Sequence, residues 1–336
     1  MNNENIRSKM VRFLSLLIIA AALVIGGATA FCSSTVSTQR RSPRLPLPNL
    51  QARRQHNEEQ EDVIPSFQRR SLLASTFAAA YCSCCFPSSA DAVIELTQPS
   101  TNLRPRSKLI DSIFADQMAT GMTDYEKEVE KYKAELFQKL FNSIGGENSS
   151  GTSVPIIVEV GMGTFPNAKY YAQALSSSTN EVKGLDIVGV DPNSSMSSYA
   201  QDNARLYGLS SSLRTVNGVA EDLPFADGSV DAIVTTLTLC SVVDQTKALS
   251  EIRRVLKPNG GKFLFWEHVL SEDNKTLALQ QTLLNPVQTF SADGCHLNRR
   301  TGMNIQKVFD GKVDLNYMTL EDKWVIGPTT FGIATV

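Results

Sequence analysis

Two acidic residues stand beside glycines at the points where two short apolar runs end. Glu159 precedes Gly161 and Gly163, and Asp191 ends the next apolar run along the chain. Glycine has no Cβ, so the backbone of such a turn can approach a bound molecule closely. A glycine pair alone carries little information, because glycines also serve any tight turn between a strand and a helix. The two acids are therefore the informative part of the pattern.

The positions of these two acidic residues indicate which kind of ligand the turn binds. A turn that binds pyrophosphate has no need of the negative charge of Glu159, whereas a cofactor that carries a sulfonium and an amino group does. A carboxylate at the end of a second strand, where Asp191 stands, can accept hydrogen bonds from both hydroxyls of a ribose. Together the residues predict an S-adenosyl-L-methionine site. The competing interpretation, a dinucleotide-binding turn with acids placed by chance, explains less of the pattern.

A third acidic stretch lies further along the chain, at residues 220–222, and precedes another acidic loop at 227–231. Acids after a third strand can accept a hydrogen bond from an adenine amino group, and chemistry alone does not choose between Glu221 and Asp222. An ordinary solvated loop is the alternative. The expected cofactor-binding residues are Glu159, Gly161, Gly163, Asp191, Pro192, Ala220, Glu221 and Thr236.

Methyl transfer from a sulfonium is an in-line displacement, so the protein mainly has to align the two molecules and exclude water. An acceptor less acidic than a thiol would also need a base. His268 is the best placed candidate base, although a packed histidine at a strand end is an equal alternative. Asp293 is the second catalytic candidate, and with His296 it lies in a segment expected to cover the acceptor. Cys240 is expected to line the pocket as a small apolar wall.

The candidate residues lie in a part of the chain whose sequence predicts alternating strands and helices, and these elements must bring the residues together. Short apolar runs predict strands at residues 154–160, 185–190, 213–217, 231–237, 262–267, 313–318 and 329–335. Repeated strand–helix units favour an α/β fold, with a Rossmann-like, doubly wound, mostly parallel seven-stranded sheet. Ligands bind such sheets at the carboxyl ends of the strands, where the candidate residues stand.

An amphipathic helix is expected ahead of the first strand. Apolar residues recur every three or four positions from Tyr125 to Leu140, whereas Glu and Lys, among them Glu126 and Lys133, fill the other face. This spacing is typical of a helix with one side on a core and the other in water. We expect it to cover one face of the sheet.

Composition excludes several classes of protein. The chain has 336 residues, of which 42% are hydrophobic and 20% charged, and its net charge is −2. These values argue against a polytopic membrane protein, a disordered chain and a coiled coil, and no positive excess favours nucleic acid as a partner. Cys240 and Cys295 are far apart in sequence and predict no bridge, and the cysteines at 82–85 lack further ligands at zinc spacing. We expect no metal site.

The first 92 residues differ from the rest. They hold ten basic and six acidic residues, against 22 basic and 28 acidic residues in the remainder. The uncharged stretch 13–30 ends in a small-residue cleavage pattern, which indicates a signal peptide, with a membrane anchor as the alternative. Residues 31–92 combine a transit-peptide composition with a twin-arginine leader at Arg69 and Arg70. This succession of a signal peptide, a transit peptide and a twin-arginine leader resembles the leaders of proteins imported into secondary plastids.

This interpretation divides the chain into four parts: a signal peptide at 1–30, transit and twin-arginine leaders at 31–92, a linker at 93–122 and an enzyme domain at 123–336. The expected location is a plastid, in the thylakoid lumen or the stroma. The secretory pathway, or anchoring by residues 13–30, is the alternative. The oligomeric state stays open.

Several motifs within residues 123–336 resemble those of the class I, type-11 methyltransferases. They are E-V-G-x-G-T at 159–164, V-D-P-N at 190–193, A-E-D-L-P-F-A-D-G-S-V-D at 220–231 and R-V-L-K-P-N-G-G at 254–261. A narrower resemblance is to the methyltransferase-like family whose members methylate alkyl thiols and hydrogen sulfide. It is carried by K-A-E-L-F at 133–137, L-T-L-C-S-V at 237–242, W-E-H-V at 266–269 and D-G-C-H-L-N-R at 293–299.

The resemblance implies an S-adenosylmethionine-dependent enzyme that methylates a small thiol or another small hydrophobic acceptor. One alternative keeps the cofactor and changes the acceptor to a prenylquinone or related lipid. Another is an inactive, cofactor-binding structural or regulatory protein. The implied partner is a small molecule, neither nucleic acid nor a stable transmembrane protein, and peripheral membrane contact stays open.

The glycine turn departs from the family pattern at one position. Phe165 replaces the third glycine, and Pro166 follows it. A proline biases the preceding residue to extended geometry and itself suits the first turn of a helix. We therefore expect an extended Phe165, a late helix start, and a ring that points away from the cofactor.

Overall fold

Seven strands form one mixed sheet in the computed structural model, which describes residues 96, 105–144, 154–177 and 184–336. The strands are β1 (Ile156–Val160), β2 (Asp186–Asp191), β3 (Leu213–Asn217), β4 (Ala232–Thr236), β5 (Lys262–His268), β6 (Val313–Thr319) and β7 (Pro328–Thr335). Their spatial order is β3-β2-β1-β4-β5-β7-β6. The pairs from β3 to β5 are parallel, and β7 runs antiparallel to both its neighbours. The expected doubly wound, mostly parallel sheet is confirmed.

The centre of the sheet consists of strands that are buried on both faces. All five residues of β1 are buried, as are the first four of β4. A short, continuous apolar run of this kind is typical of a central strand in a parallel sheet. Chain order reverses between β1 and β4, and ligands of open α/β sheets bind at such a switch point.

Helices cover both faces of the sheet. They are α1 (Lys108–Gly121), α2 (Thr123–Ile144), α3 (Ala168–Ser177), α4 (Met196–Leu206), α5 (Gln245–Val255), α6 (Lys275–Ser291) and α7 (Thr301–Val308), with a 3₁₀ turn at Glu321–Ile326. Side-chain caps define two helix starts: Asp244 accepts from the N–H of Lys247 at α5, and Asn274 accepts from the N–H of Leu277 at α6. Such caps satisfy donors that the first turn leaves without a partner.

Helix α1 lies within residues 93–122, the stretch expected to be a linker. This helix buries only Asp111 and Ala115, so its sequence carries no clear apolar period. The signal peptide, transit peptide and twin-arginine leader expected in residues 1–92 lie outside the described residues and stay predictions. Among the helices that the structure describes, none has the length and apolar character needed to cross a membrane.

The covering helix α2 packs on α3 through aromatic rings. Phe137 and Tyr171 meet edge to face, with ring centroids 4.9 Å apart, and Phe137 also stacks on Tyr170 at 5.5 Å. One expectation about α2 is wrong. Glu126 and Lys133 are buried rather than in water, and Lys133 Nζ lies 2.9 Å from Glu126 Oε1. Buried charges persist where they are paired in this way.

Candidate active site

A cavity of about 490 Å³ opens at the carboxyl ends of β1, β2 and β4. Small-molecule sites typically occupy roughly 300–1,000 Å³. The glycine turn after β1, the ends of β2 and β4, and the loop after β3 form one part of its wall. Helices α1 and α2, the loop between β4 and α5 and the segment between α6 and α7 form most of the remainder, with Met196 of α4 and Lys247 of α5. The cavity therefore lies where the sheet topology predicts a ligand.

Most of the residues expected to bind the cofactor line this cavity. They are Gly161, Gly163, Asp191, Pro192, Ala220, Glu221 and Thr236. The remaining one, Glu159, is not part of the wall. Parallel strands bring their carboxyl ends to one edge, which is why residues from separate segments of the chain meet here.

The glycine turn has a backbone that few side chains tolerate. Gly161 and Gly163 both have positive φ, at 67° and 56°. A Cβ on Gly161 would lie 2.3 Å from Oγ1 of Thr238, so glycine is required there for packing. A Cβ on Gly163 would meet no protein atom within 4 Å. Gly163 thus leaves open space beside the cavity.

Phe165 does not have the extended backbone expected from its proline. Its φ is 61°, in the left-handed region that the replaced glycine would favour. The close turn imposes this conformation, which costs a non-glycine residue about 1–2 kcal/mol. The ring is fully buried and packs on Tyr171 with centroids 5.5 Å apart. It is not part of the cavity wall, in agreement with the expected direction of the ring, and the late helix start is also observed, at Ala168.

Asp191 ends β2 and faces the cavity. Its Oδ2 accepts a hydrogen bond from the N–H of Gly163 at 2.9 Å, and its Oδ1 accepts from the N–H of Asn193 at 2.8 Å. Burial raises the pKa of Asp191 to about 6, although the two backbone bonds oppose this rise. The carboxylate links the glycine turn to β2 and presents its remaining acceptor capacity to the cavity.

Glu159 lies beneath the glycine turn rather than on the cavity wall. The side chain belongs to β1 and is buried on the face of the sheet that α2 and α3 cover. Oε1 accepts from Nδ2 of Asn167 at 2.9 Å, and Asn167 also donates to Thr236. The hydroxyl of Tyr171 is near the same carboxylate without good hydrogen-bond geometry. Burial raises the pKa of Glu159 to about 7.

Glu159 lies off the cavity wall, so its expected direct approach to a donor sulfonium stays a prediction. Glu159 is the second-last residue of β1, and only Val160 stands between it and the glycine turn. Side chains alternate between the two faces along a strand, so Glu159 and Val160 point to opposite faces. The pleat therefore directs Glu159 to the helical layer, while Val160 reaches the cavity. Through Asn167 and Thr236, Glu159 supports the wall from behind.

The two acids after β3 differ in their position relative to the cavity, which favours Glu221. Glu221 lines the cavity, whereas Asp222 is not part of the wall. Its Oε1 accepts from the N–H groups of Val243 and Asp244, at 2.6 and 3.1 Å. The carboxylate therefore fixes the loop before α5 against the loop after β3, and shapes the end of the cavity where adenine is expected.

His268 and Cys240 do not occupy their expected positions. Both are buried, at 5% and 1% exposure, and neither belongs to the cavity wall. Nε2 of His268 lies 3.2 Å from Sγ of Cys295, which is buried as well. His268 is therefore not in place as a base for an acceptor in this cavity. The structure supports the alternative, a packed histidine at a strand end.

Asp293, the other catalytic candidate, does line the cavity. Both its carboxylate oxygens accept from Nη2 of Arg106, at 2.9 and 3.1 Å. The Nε of Arg106 donates to Asp111 of α1 at 3.0 Å. This bridge ties the segment between α6 and α7 to the start of α1. His296, expected to cover the acceptor with Asp293, instead directs Nδ1 to backbone carbonyls of Cys240 and Gly294.

Sequence patterns did not indicate several residues of the wall. Phe114 and Met118 of α1 and the adjacent Met122 form an apolar side, and Glu126 and Lys133 of α2 add a buried ion pair. Glu126 also accepts from the Tyr170 hydroxyl at 3.0 Å. The family segment at 133–137 was the only signal for Lys133.

Burial lowers the pKa of Lys133, and the charge of Glu126 opposes this. Their 2.9 Å contact keeps a positive charge inside the helical layer and on the wall.

The wall suits S-adenosyl-L-methionine in three respects. Asp191 presents a carboxylate of the kind that accepts from a ribose diol, with each oxygen keeping an acceptor site. Gly163 leaves open space where a Cβ would stand. Lys133 supplies a buried positive charge that can face the carboxylate of the donor.

Comparison with known proteins agrees with this geometry. A family model described as a methyltransferase domain matches residues 158–265. Thiol S-methyltransferase TMT1B of Rattus norvegicus is 33% identical over 220 residues, which are 65% of this chain and 83% of the relative. Thiol S-methyltransferase TMT1A of Homo sapiens is 30% identical over 212 residues, 62% of this chain and 80% of the relative.

A third relative matches a shorter part of the chain. The ubiquinone/menaquinone biosynthesis C-methyltransferase UbiE of Haemophilus ducreyi is 42% identical over 81 residues, 24% of this chain and 31% of the relative. The two longer matches extend over most of the length of their relatives. The chain belongs to the class I, S-adenosyl-L-methionine-dependent methyltransferases with a type-11 domain, in the same family as the TMT1 enzymes.

Proposed function

We propose that this methyltransferase transfers the methyl group to the sulfur of a small, largely apolar thiol. The observation that carries the proposal is the apolar part of the cavity wall, formed by Phe114, Met118 and Met122. A donor made of an adenosine and an amino acid fills much of a cavity of about 490 Å³. The remaining space suits a small acceptor, and its lining suits an apolar one.

A thiol acceptor also agrees with the absence of His268 from the wall. When bound, the donor supplies a methyl group on a positively charged sulfur, which needs no further activation. A free thiol with a pKa of about 8.5 is already partly ionised near neutral pH, so it does not depend on a strong base. Lys133 lies on the wall together with its ion-pair partner Glu126. The chain therefore has to align the acceptor and exclude water.

Relatives support two acceptor classes. The two longer matches have names that state thiol S-methylation, and the shorter match has a name that states C-methylation in quinone biosynthesis. We favour the thiol, because the two longer matches span 65% and 62% of the chain, whereas the shorter match spans 24%.

Methyl-labelled donor with the full chain tests the acceptor directly. Hydrogen sulfide, an alkyl thiol and a quinone precursor are compared under identical conditions, with Asp191→Asn as the donor-site control. We expect label in both thiols, none in the quinone precursor, and strongly reduced transfer in the control. Label in the quinone precursor alone would contradict the proposal.

A matched pair of variants tests the apolar wall. Met118→Leu keeps an apolar side chain of similar size, and Met118→Gln makes it polar. We expect Met118→Gln to raise KM for the alkyl thiol, with donor affinity unchanged, and Met118→Leu to leave KM near that of the wild type. Equal KM values in both variants would show that α1 does not contact the acceptor.

We also propose that the enzyme acts in a plastid. Support comes from the leader patterns in residues 1–92 and from their net positive charge against the acidic remainder. A fusion of residues 1–92 to a fluorescent reporter tests this in an alga with a secondary plastid. Plastid fluorescence is expected, and fluorescence in the secretory pathway or on lipid droplets would overturn it.

A further inference from the structure

Three side chains with metal-ligating atoms meet beside the cavity. Cys240 follows β4, His268 is the last residue of β5, and Cys295 lies between α6 and α7. Their ligand atoms all lie within 4.8 Å of one another, and all three residues are buried. Sγ of Cys295 lies 3.2 Å from Nε2 of His268. The fold brings together two cysteines that the sequence places far apart.

These separations approach those of a tetrahedral zinc site. With Zn–S bonds of about 2.3 Å and Zn–N bonds of about 2.0–2.1 Å, two sulfurs stand about 3.8 Å apart, and a sulfur and a nitrogen about 3.5 Å apart. The Cys295–His268 separation of 3.2 Å is shorter than this by a few tenths of an ångström. The upper bound of 4.8 Å requires a movement of at most about 1 Å toward the ion. Small side-chain rotations supply such movements.

The donor set favours a soft, thiophilic dication. Two thiolates and one neutral imidazole form a Cys₂His set, which proteins use for zinc with the fourth position left to another ligand. Two thiolates neutralise Zn²⁺, so the filled site adds no net charge to a buried region. Glu267 and Arg299 face the cluster, and their charges have opposite sign.

The Cys295 thiol favours its protonated form. The neighbouring Cys240 thiol and burial raise the pKa of Cys295 well above its ordinary value. A dication reverses this preference because it stabilises thiolates, so its binding releases about two protons. Proton release therefore distinguishes binding to the cysteines from binding to surface carboxylates.

Neighbouring groups already orient the ligands. Nε2 of Gln288 donates to Sγ of Cys295 at 3.4 Å. The N–H of His296 donates to the carbonyl of Cys240 at 2.9 Å and holds the two cysteine segments side by side.

We propose that Cys240, His268 and Cys295 bind one zinc ion, which pins the acceptor-side wall of the cavity. Ser241 and Gly294, the chain neighbours of the two cysteines, line the cavity. The ion joins the loop after β4 and the segment between α6 and α7 to the end of β5. Its role is to hold that wall in place.

A background variant isolates this site in the full chain. Cys32, Cys82, Cys84 and Cys85 are replaced by serine, which leaves only the two cysteines of the cluster. The reduced, metal-free protein is titrated with Zn²⁺ against a chromophoric chelator, and proton release is recorded in weak buffer. Co²⁺ serves as a spectroscopic probe, because thiolate ligands give a charge-transfer band.

We expect one Zn²⁺ per chain, about two protons released and a thiolate–Co²⁺ band. Cys240→Ser or Cys295→Ser in this background should weaken Zn²⁺ binding by more than about 100-fold, and His268→Asn by about 10–100-fold. His296→Asn is the matched control, since its ring contacts only backbone carbonyls and its loss should leave affinity unchanged. Unchanged Zn²⁺ affinity in both cysteine variants would overturn the proposal.

A second measurement does not depend on the variants folding. Saturating Zn²⁺ should raise the Tm of the background protein and protect both thiols from alkylation. Thiols that react at the same rate with and without Zn²⁺ would refute the site. A disulfide between Cys240 and Cys295 in protein purified without reductant, with no Zn²⁺ uptake after reduction, would show a redox pair instead of a metal site.

Discussion

Replacement of Asp191 by asparagine tests the cofactor site most directly. The carboxylate is held by N–H groups of Gly163 and Asn193 and faces the cavity. Asn keeps the size of the side chain and removes its charge. Hydrogen bonds to a charged acceptor contribute about 1.5–3 kcal/mol each, against about 1 kcal/mol for a neutral one. Loss of two charged bonds to a ribose, with partial replacement, should weaken donor binding by about 2–4 kcal/mol, or roughly 30- to 1,000-fold in Kd.

The same residue predicts a pH dependence. Burial raises the pKa of Asp191 to about 6, and a bound ribose selects the charged form. Donor affinity should therefore increase as pH rises through about 6, and below that pKa it should weaken by up to about tenfold per pH unit. Stability changes in the opposite sense. Because the folded-state pKa lies above the ordinary value, the contribution of Asp191 to the free energy of unfolding is largest at low pH and is lost as pH rises through about 6.

Isothermal titration calorimetry with S-adenosyl-L-methionine, from about pH 5 to about pH 8, measures the donor Kd of wild type and Asp191→Asn and its dependence on pH. Glu159→Gln is the matched control, because Glu159 also has a raised pKa, about 7, but lies behind the wall. The pH dependence should disappear in Asp191→Asn and persist in Glu159→Gln. Unchanged affinity in a folded Asp191→Asn protein would refute the assignment of Asp191, and loss of the pH dependence in Glu159→Gln alone would show that Glu159 controls binding.

Three further substitutions test packing and the turn. Phe165→Ala should lower the free energy of unfolding by about 3–5 kcal/mol in urea titrations, because a fully buried ring on Tyr171 is lost; a loss below about 1 kcal/mol would show that packing of the ring contributes little to stability. Lys133→Met should cost about 3–5 kcal/mol by leaving Glu126 buried without its cation, and adding Glu126→Leu should recover part of it; purely additive losses would exclude coupling. Gly163→Ala should weaken donor binding at least about tenfold in calorimetry and change stability by only about 1 kcal/mol, because its Cβ enters open space at positive φ; unchanged donor binding would place the donor away from this turn.

Local patterns were sufficient for the sheet and most of its strands. The boundaries of β3 are those expected, and β1 and β4 differ by one or two residues at their ends. Short apolar runs between turn residues are visible in any window of the chain, and the repeated strand–helix order limits the topology. The same patterns placed the cofactor residues at the strand ends, where the cavity lies.

The sequence by itself thus determined the fold, the class of cofactor and the edge of the sheet at which the site lies. The spacing of hydrophobic residues and the residue types of the turns are local properties of the chain. Only the tertiary structure decided that Glu159 supports the wall from behind, that Lys133 is buried on Glu126, and that Cys240 and Cys295 meet at His268. Each of these outcomes depends on partners from distant segments, and a charged or thiol side chain can be buried only where the folded chain supplies such a partner.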